Sequence, residues 1–235
     1  MRERYGRAPF GTVLVVDPYL GSVRGISPEL RAFHARYPYA ALLAAFWQRQ
    51  GETRDVLRMM AEGVLDFLFL DEENTEAAIR RRLEPLRSRP IRALLPEGIA
   101  DSLSGTGQGL LNKAIETVAA GGSVTDFAAA LALSPRNLNR RTHAVRLPPP
   151  KELLRWIRVL LAAALLEDEA HTIHDVSVAC GYADDRGLQR LIHGLLGMTP
   201  SALQGMGATG LAREAFRARL ASPSRLRSIH REYAP

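Results

Sequence analysis

Two arginines, Arg140 and Arg190, lie fifty positions apart, and each follows a leucine, Leu138 or Leu188, by two residues. A guanidinium offers two donors in a fixed fork, which matches the O6 and N7 acceptors of a guanine edge. The residues ahead of them repeat as well. Ser123-Val-Thr-Asp126 and Thr172-Ile-His-Asp175 share one form, a hydroxyl followed three residues on by an acid. The hydroxyl can accept a hydrogen bond from an orphan amide of a helix's first turn, and the acid can reach back. Other chemistry-capable residues offer less. His171 and His174 stand three apart, but no further ligand accompanies them and His174 sits inside a capping box, so no metal is expected. Cys180 is the single cysteine, which excludes an intrachain disulfide or a thiolate cluster. Next to Gly181 it reads as a small buried filler. The run Ser104-Gly-Thr-Gly-Gln-Gly109 lacks the spacing of a phosphate-binding loop and follows no strand. No Ser-His-Asp, paired-carboxylate or cofactor pattern has supporting context, so the chain reads as non-catalytic and cofactor-free.

The elements that position the repeated residues also repeat. Each box opens a short apolar helix, Phe127–Leu133 or Val176–Cys180. A tight turn follows at Leu133-Ser134 or Gly181-Tyr182, and then a second amphipathic helix, Pro135 to Val145 or Asp184 to Leu196. Leu138 and Leu188 serve as buried anchors. This is the helix-turn-helix plan, whose second helix lies in the major groove with its early residues facing base edges. A plain helical bundle would also use short capped helices. Two units in register, on the basic part of the chain, favour DNA. The formal charge of the 235 residues is +6. Residues 1–111 hold 15 basic and 14 acidic side chains, and residues 112–235 hold 16 and 11, so the excess lies with the repeat. Lys113 and Lys151 are the only lysines.

Roughly from Leu110 to Leu203 the sequence resembles the AraC/XylS family of bacterial regulators. The residues that carry the resemblance are Ala128-Ala-Ala-Leu-Ala-Leu-Ser-Pro-Arg-Asn-Leu-Asn-Arg140, Arg158, Ile173-His-Asp-Val-Ser-Val-Ala-Cys-Gly-Tyr182 and Gly197-Met-Thr-Pro-Ser201. The resemblance implies one long helix, matched by Lys151 to Glu167, that joins the units so that both recognition helices enter successive major grooves. Leu153, Leu154, Ile157, Leu160, Leu161 and Leu165 would face inward from it. It also implies DNA-contacting residues. Arg136, Asn137, Asn139, Arg140 and Arg141 would act from the first recognition helix, and Arg186, Gln189, Arg190 and His193 from the second. Arg suits guanine, Asn and Gln suit adenine, and Arg141 and Arg146 suit phosphate. Three features depart from the family. Thr142 and Ile192 stand where Phe is usual, His193 stands where Lys is common, and Asp184-Asp185 opens the second recognition helix with charge that repels phosphate. The first unit is therefore expected to supply more of the affinity.

The N-terminal part alternates short apolar runs with helical periodicity. Thr12–Val16, Ala40–Phe46 and Val64–Leu70 read as strands. Ser27-Pro28-Glu29 opens a helix carrying Leu30, Phe33 and Tyr37; Thr53 to Glu62 is a second, stopped by Gly63; Asn74 caps a third through Leu86. The order β-α-β-α-β-α implies a parallel sheet. The strand ending at Asp17 and the run Glu62-Gly-Val-Leu-Asp-Phe-Leu are similar to the later half of a response-regulator receiver domain. The acid pair, the Ser or Thr and the Lys that phosphoryl transfer requires are missing, so Asp17 reads as a turn residue.

The expectation is thus an α/β unit followed by an all-α unit: residues 1–95 receiver-like, serving interaction or sensing, 96–109 linker, 110–205 double helix-turn-helix, 206–235 Arg-rich tail, in which Leu211–Leu220 has the pattern of an amphipathic helix. Double-stranded DNA is the expected partner, with RNA polymerase and a second copy joined through the N-terminal domain as further candidates. No apolar run nears the ~20 residues that span a bilayer, and no secretory signal opens the chain, so a cytoplasmic, non-membrane protein is expected. The alternative is a protein-interaction scaffold whose degenerate helix-turn-helix units bind DNA weakly or not at all.

Overall fold

The structure is a computed structural model that describes residues 13–19, 27–36, 41–47, 53–61, 64–168 and 171–221. The chain divides into two compact units between Ala93 and Leu94.

The first unit is built on β1 (Val13–Val16), β2 (Ala41–Phe46) and β3 (Val64–Phe69), all parallel and in the order β1-β2-β3. Helices α1 (Pro28–Arg36), α2 (Thr53–Ala61) and α3 (Glu76–Ala93) alternate with them. Central β2 explains why Ala41-Leu-Leu-Ala-Ala-Phe46 is apolar throughout: a strand covered on both faces has no polar side to show. Leu42, Ala44 and Phe46 pack with Val16, Leu30, Phe33 and Met59 on one face, and Ala41 and Leu43 pack with Leu68 and Leu86 on the other. The register slips by one residue between Leu42↔Val64 and Leu43↔Asp66. Asp66 thereby joins Arg82 (3.5 Å), whose Nη2 also reaches Glu73 at 2.9 Å. Asp17 is exposed and accepts the Tyr19 amide at 2.9 Å as the chain turns out of β1.

Two expected boundaries differ. Thr75, not Asn74, caps α3, its Oγ1 accepting from the Ala78 amide at 3.3 Å. The same helix runs past Leu86 to Ala93 despite Pro85 and Pro90. Burial of Leu86, Pro90 and Ile91 offsets the helix bonds that the prolines remove. The expected positions Thr12, Tyr37, Ala40, Glu62 and Gly63 and the tail beyond residue 221 lie outside the described residues.

The second unit is all helical: α4 (Ile99–Ser102), α5 (Gly105–Ala119), α6 (Val124–Ala129), α7 (Pro135–Ala144), α8 (Pro150–Leu166), α9 (Ile173–Ala179), α10 (Asp185–Leu196), α11 (Pro200–Leu203) and α12 (Ala208–Ala221). The glycine-rich stretch expected to be linker instead opens α5. Ser104 caps it by accepting from the Gly107 amide, and burial of Leu110, Leu111, Ala114, Ile115 and Val118 outweighs the poor helix propensity of its three glycines.

The joining helix α8 is more than a spacer. Every helix from α5 to α12 packs against it. Leu153, Leu154, Ile157, Leu160 and Leu161 are buried as expected, and Trp156, Val159, Ala162, Ala163 and Leu166 are buried with them, whereas Leu165 is only half-buried. Such a helix is apolar almost all round because it forms the centre of its unit. The segment expected as a tail supplies α12, which closes one side. Phe216 stacks on Trp156 with ring centroids 5.6 Å apart, Arg219 pairs with Glu152, and Glu167 accepts from both the amide and the hydroxyl of Thr209 at 2.8 Å. Ring stacking of this kind contributes ~0.5–1.5 kcal/mol beyond its buried area.

Candidate nucleic-acid interface

The first helix-turn-helix consists of α6 and α7. Ser123 Oγ accepts from the Asp126 amide, and the Asp126 carboxylate accepts from the Ser123 amide at 2.7 Å, which completes the capping box. The Ser123 amide and the Ser123 hydroxyl, both donating to it, hold the Asp126 carboxyl below the usual carboxylate range. Phe127 and Ala128 turn inward. The helix closes with the Leu133 amide bonded to the Ala128 carbonyl at 2.9 Å and Ala132 in the left-handed region at φ 52°. Ser134 then caps α7, accepting from the Asn137 amide at 3.3 Å, with Pro135 in its first turn. Leu138 is fully buried beneath the helix. Thr142, which stands where an aromatic was expected, is also buried, and its hydroxyl donates to the Asn139 carbonyl at 3.0 Å.

The second unit, α9 and α10, reproduces this frame. Thr172 and Asp175 form the capping box, and the two bonds to Thr172 are the main cause of a lowered Asp175 carboxyl. The Tyr182 amide bonds to the Ser177 carbonyl at 2.9 Å, with Gly181 at φ 80° in the place of Ala132. Leu188 and Ile192 are fully buried where Leu138 and Thr142 lie in the first unit. The turn is one residue longer here, because the helix cap is Asp184, fifty positions from Ser134, while Gly181 is forty-nine from Ala132. Tyr182 fills the extra space against Gly187, where a Cβ would stand 2.6 Å from the Tyr182 ring.

Asp184 and Asp185 therefore have local partners. Asp184 Oδ1 accepts from the Gly187 amide at 2.9 Å, and Asp185 lies 3.1 Å from Nδ1 of His174 on α9. Their charge remains at the start of α10, while α7 has no acid in its first turn and carries Arg141 and His143 in its last. Cys180 is buried, and burial pushes its thiol up to about 12, away from the reactive thiolate form.

The side chains expected to meet DNA all lie on the outside of these two helices. Arg136, Asn137, Asn139, Arg140 and Arg141 are exposed on α7, as are Arg186, Gln189, Arg190 and His193 on α10. Among the described residues none of these arginines is held in an ion pair, in contrast to Arg82 and Arg219. Arg146, expected to touch phosphate, is exposed at φ 61° just beyond α7, where the Leu147 amide closes the helix on the Thr142 carbonyl at 2.9 Å. Lys151 and Arg155 on α8 lie beside this set and were not singled out from the sequence. Their spacing with Arg158 at i, i+4 and i+7 is the signal that marks them.

Residues 127–206 match the model of a family described as a helix-turn-helix domain, of the AraC type, over about a third of the chain. That family is a DNA-binding regulatory domain rather than a catalytic one, and it supports DNA-binding transcription regulation of the AraC type. The match leaves the N-terminal α/β unit outside it, so the receiver-like reading of that unit gains no support. No curated protein and no solved structure matches the chain. Among the described residues no helix is long and apolar enough to cross a membrane.

Proposed function

We propose that the chain is a sequence-specific regulator that binds double-stranded DNA by laying α7 and α10 in successive major grooves of one duplex. The observation that carries this reading is the paired presentation of Arg136, Asn139 and Arg140, and of Arg186, Gln189 and Arg190. Both sets lie outward and unpaired on helices anchored by a fully buried leucine. Arg136 and Arg140 read guanine edges, and Asn137 and Asn139 reach adenine or neighbouring backbone. Arg141 binds phosphate and fixes position without reading sequence. Arg186, Gln189, Arg190 and His193 do the corresponding work on α10, where Asp184 and Asp185 weaken the attraction.

A second reading is a protein-interaction scaffold, favoured by the two aspartates at the start of α10. Fluorescence-anisotropy titration of the full chain with a mixed-sequence duplex separates the two. A steep linear fall of log affinity against log salt supports DNA binding, because each neutralised phosphate releases counterions. No binding at low salt leaves the scaffold.

A further inference from the structure

The two helix-turn-helix units flank a groove whose charge the reading helices do not account for. It measures about 710 Å³ and is floored by Lys151, Arg155 and Arg158 of α8. The first unit contributes the turn around Gly122, and the second contributes Tyr182 and Arg190. No lining residue is acidic. Among the described residues no carboxylate pairs with Lys151, Arg155, Arg158 or Arg190. The three cations of α8 span roughly 10 Å of helix axis on one stripe. Elsewhere this helix is buried among apolar side chains, apart from Glu152, which Arg219 neutralises, so the stripe is its unneutralised charge.

One of the cations is held by a hydrogen bond and a second lies close against α10. Arg158 Nη2 donates to the Gly122 carbonyl at 2.6 Å. Arg155 lies over Gly194 of α10, where a Cβ would stand 2.9 Å from its Nη2. Tyr182 occupies the space that Gly187 leaves open. Burial raises the Tyr182 phenol, and the charges of Arg158, Arg155 and Arg190, which line the same groove, act on it in the opposite sense. The phenol stays protonated at neutral pH and adds a donor. Four positive charges in one concave surface focus the field on whatever anion enters.

We propose that this groove clamps the phosphodiester backbone of the DNA between the two half-sites, with Lys151, Arg155 and Arg158 neutralising phosphates and reading no base. The proposal rests on the DNA-binding reading above and adds a third anchor to it. A small-molecule pocket would enclose its ligand within largely apolar walls. This groove is open and carries the charges of Lys151, Arg155, Arg158 and Arg190. Arg190 belongs both to it and to the outward face of α10, so groove and reading surface are continuous.

The test compares the full-length chain with Lys151→Gln and with Lys151→Gln/Arg155→Gln, in anisotropy titrations on a selected duplex and a scrambled one at several salt concentrations. Circular-dichroism melting checks that each variant keeps its fold, and the exposed Lys151 serves alone if the double variant does not. The expected result is an equal fold-loss of affinity on both duplexes, with a salt slope shallower by ~0.9 for each phosphate contact removed. An unchanged slope in variants that fold, with the unmodified chain still binding, overturns the clamp and leaves the reading helices intact. A changed base preference also overturns it, since the groove would then be reading sequence. Saturable binding of inorganic pyrophosphate alongside an unchanged slope reassigns the groove to a small anion. If the unmodified chain binds neither duplex, the clamp and the DNA reading fail together.

Discussion

The two helix-turn-helix units use one frame for unequal electrostatic ends. Both open on a completed capping box, both turn through a left-handed residue, and both anchor the second helix with a leucine that solvent does not reach. They part after the turn. In the first unit Ser134 caps with a neutral hydroxyl and Pro135-Arg136 follows; in the second Asp184 caps with a charge and Asp185 follows. A helix N-terminus carries about half a positive charge and attracts anions. The second unit caps that end with a carboxylate, whereas the first caps it with the uncharged hydroxyl of Ser134. Shared packing thus fixes where the two helices stand, and the residues at their starts set the charge that each end presents.

The largest effects test whether that frame is held in common. Leu138→Ala and Leu188→Ala each remove a fully buried side chain and are expected to cost ~2–5 kcal/mol in denaturant unfolding. Because α8 packs against both units, each variant should lower a single shared transition. Two separate transitions, one per unit, would mean that the frame is two independent copies.

Next comes the asymmetry itself. Arg140→Ala is expected to cost ~1–3 kcal/mol at the cognate site by anisotropy, and Arg190→Ala less. Equal losses would cancel the role given to Asp184 and Asp185.

The capping boxes, the leucine anchors and the outward arginines are legible in the sequence because they depend on spacing within one or two turns. What is not legible depends on distant partners. The glycine-rich stretch from Ser104 to Gly109 has every local mark of a linker, yet α5 forms there because Leu110, Leu111 and Ile115 have a core to enter. The amphipathic pattern of Leu211–Leu220 is local, but its partners are not: Phe216, Thr209 and Arg219 meet Trp156, Glu167 and Glu152, all on or beside α8. Asp184 and Asp185 look purely repulsive until the Gly187 amide and His174 are found beside them. The β-α alternation of the first unit is readable where strand and helix periods differ, but β2 is apolar throughout and its alanines also suit a helix, and the end of α3 is hidden by two prolines that suggest a stop that burial overrides.

The longer second turn predicts a smaller contrast. Gly187→Ala forces a Cβ into the Tyr182 ring and should destabilise by ~1–3 kcal/mol. Asn137→Ala, at the matching exposed position, should stay within ~0.5 kcal/mol in thermal unfolding. Similar losses would show that Tyr182 yields freely.

Smallest is the effect of the turn residues. Ala132 carries a Cβ at φ 52° where Gly181 does not, so Ala132→Gly should stabilise by up to ~1 kcal/mol and Gly181→Ala should destabilise by ~1–2 kcal/mol. Destabilisation by Ala132→Gly in chemical unfolding would show that the first turn is not strained.

One measurement bears on the central proposal most directly: selection of bound sequences from a random duplex pool by the full-length chain. Two helices presented together should enrich a bipartite motif with half-sites centred ~10–10.5 bp apart, the half read by α7 the more sharply defined. A pool with no enriched sequence, or with one isolated half-site and no partner at that spacing, would contradict it.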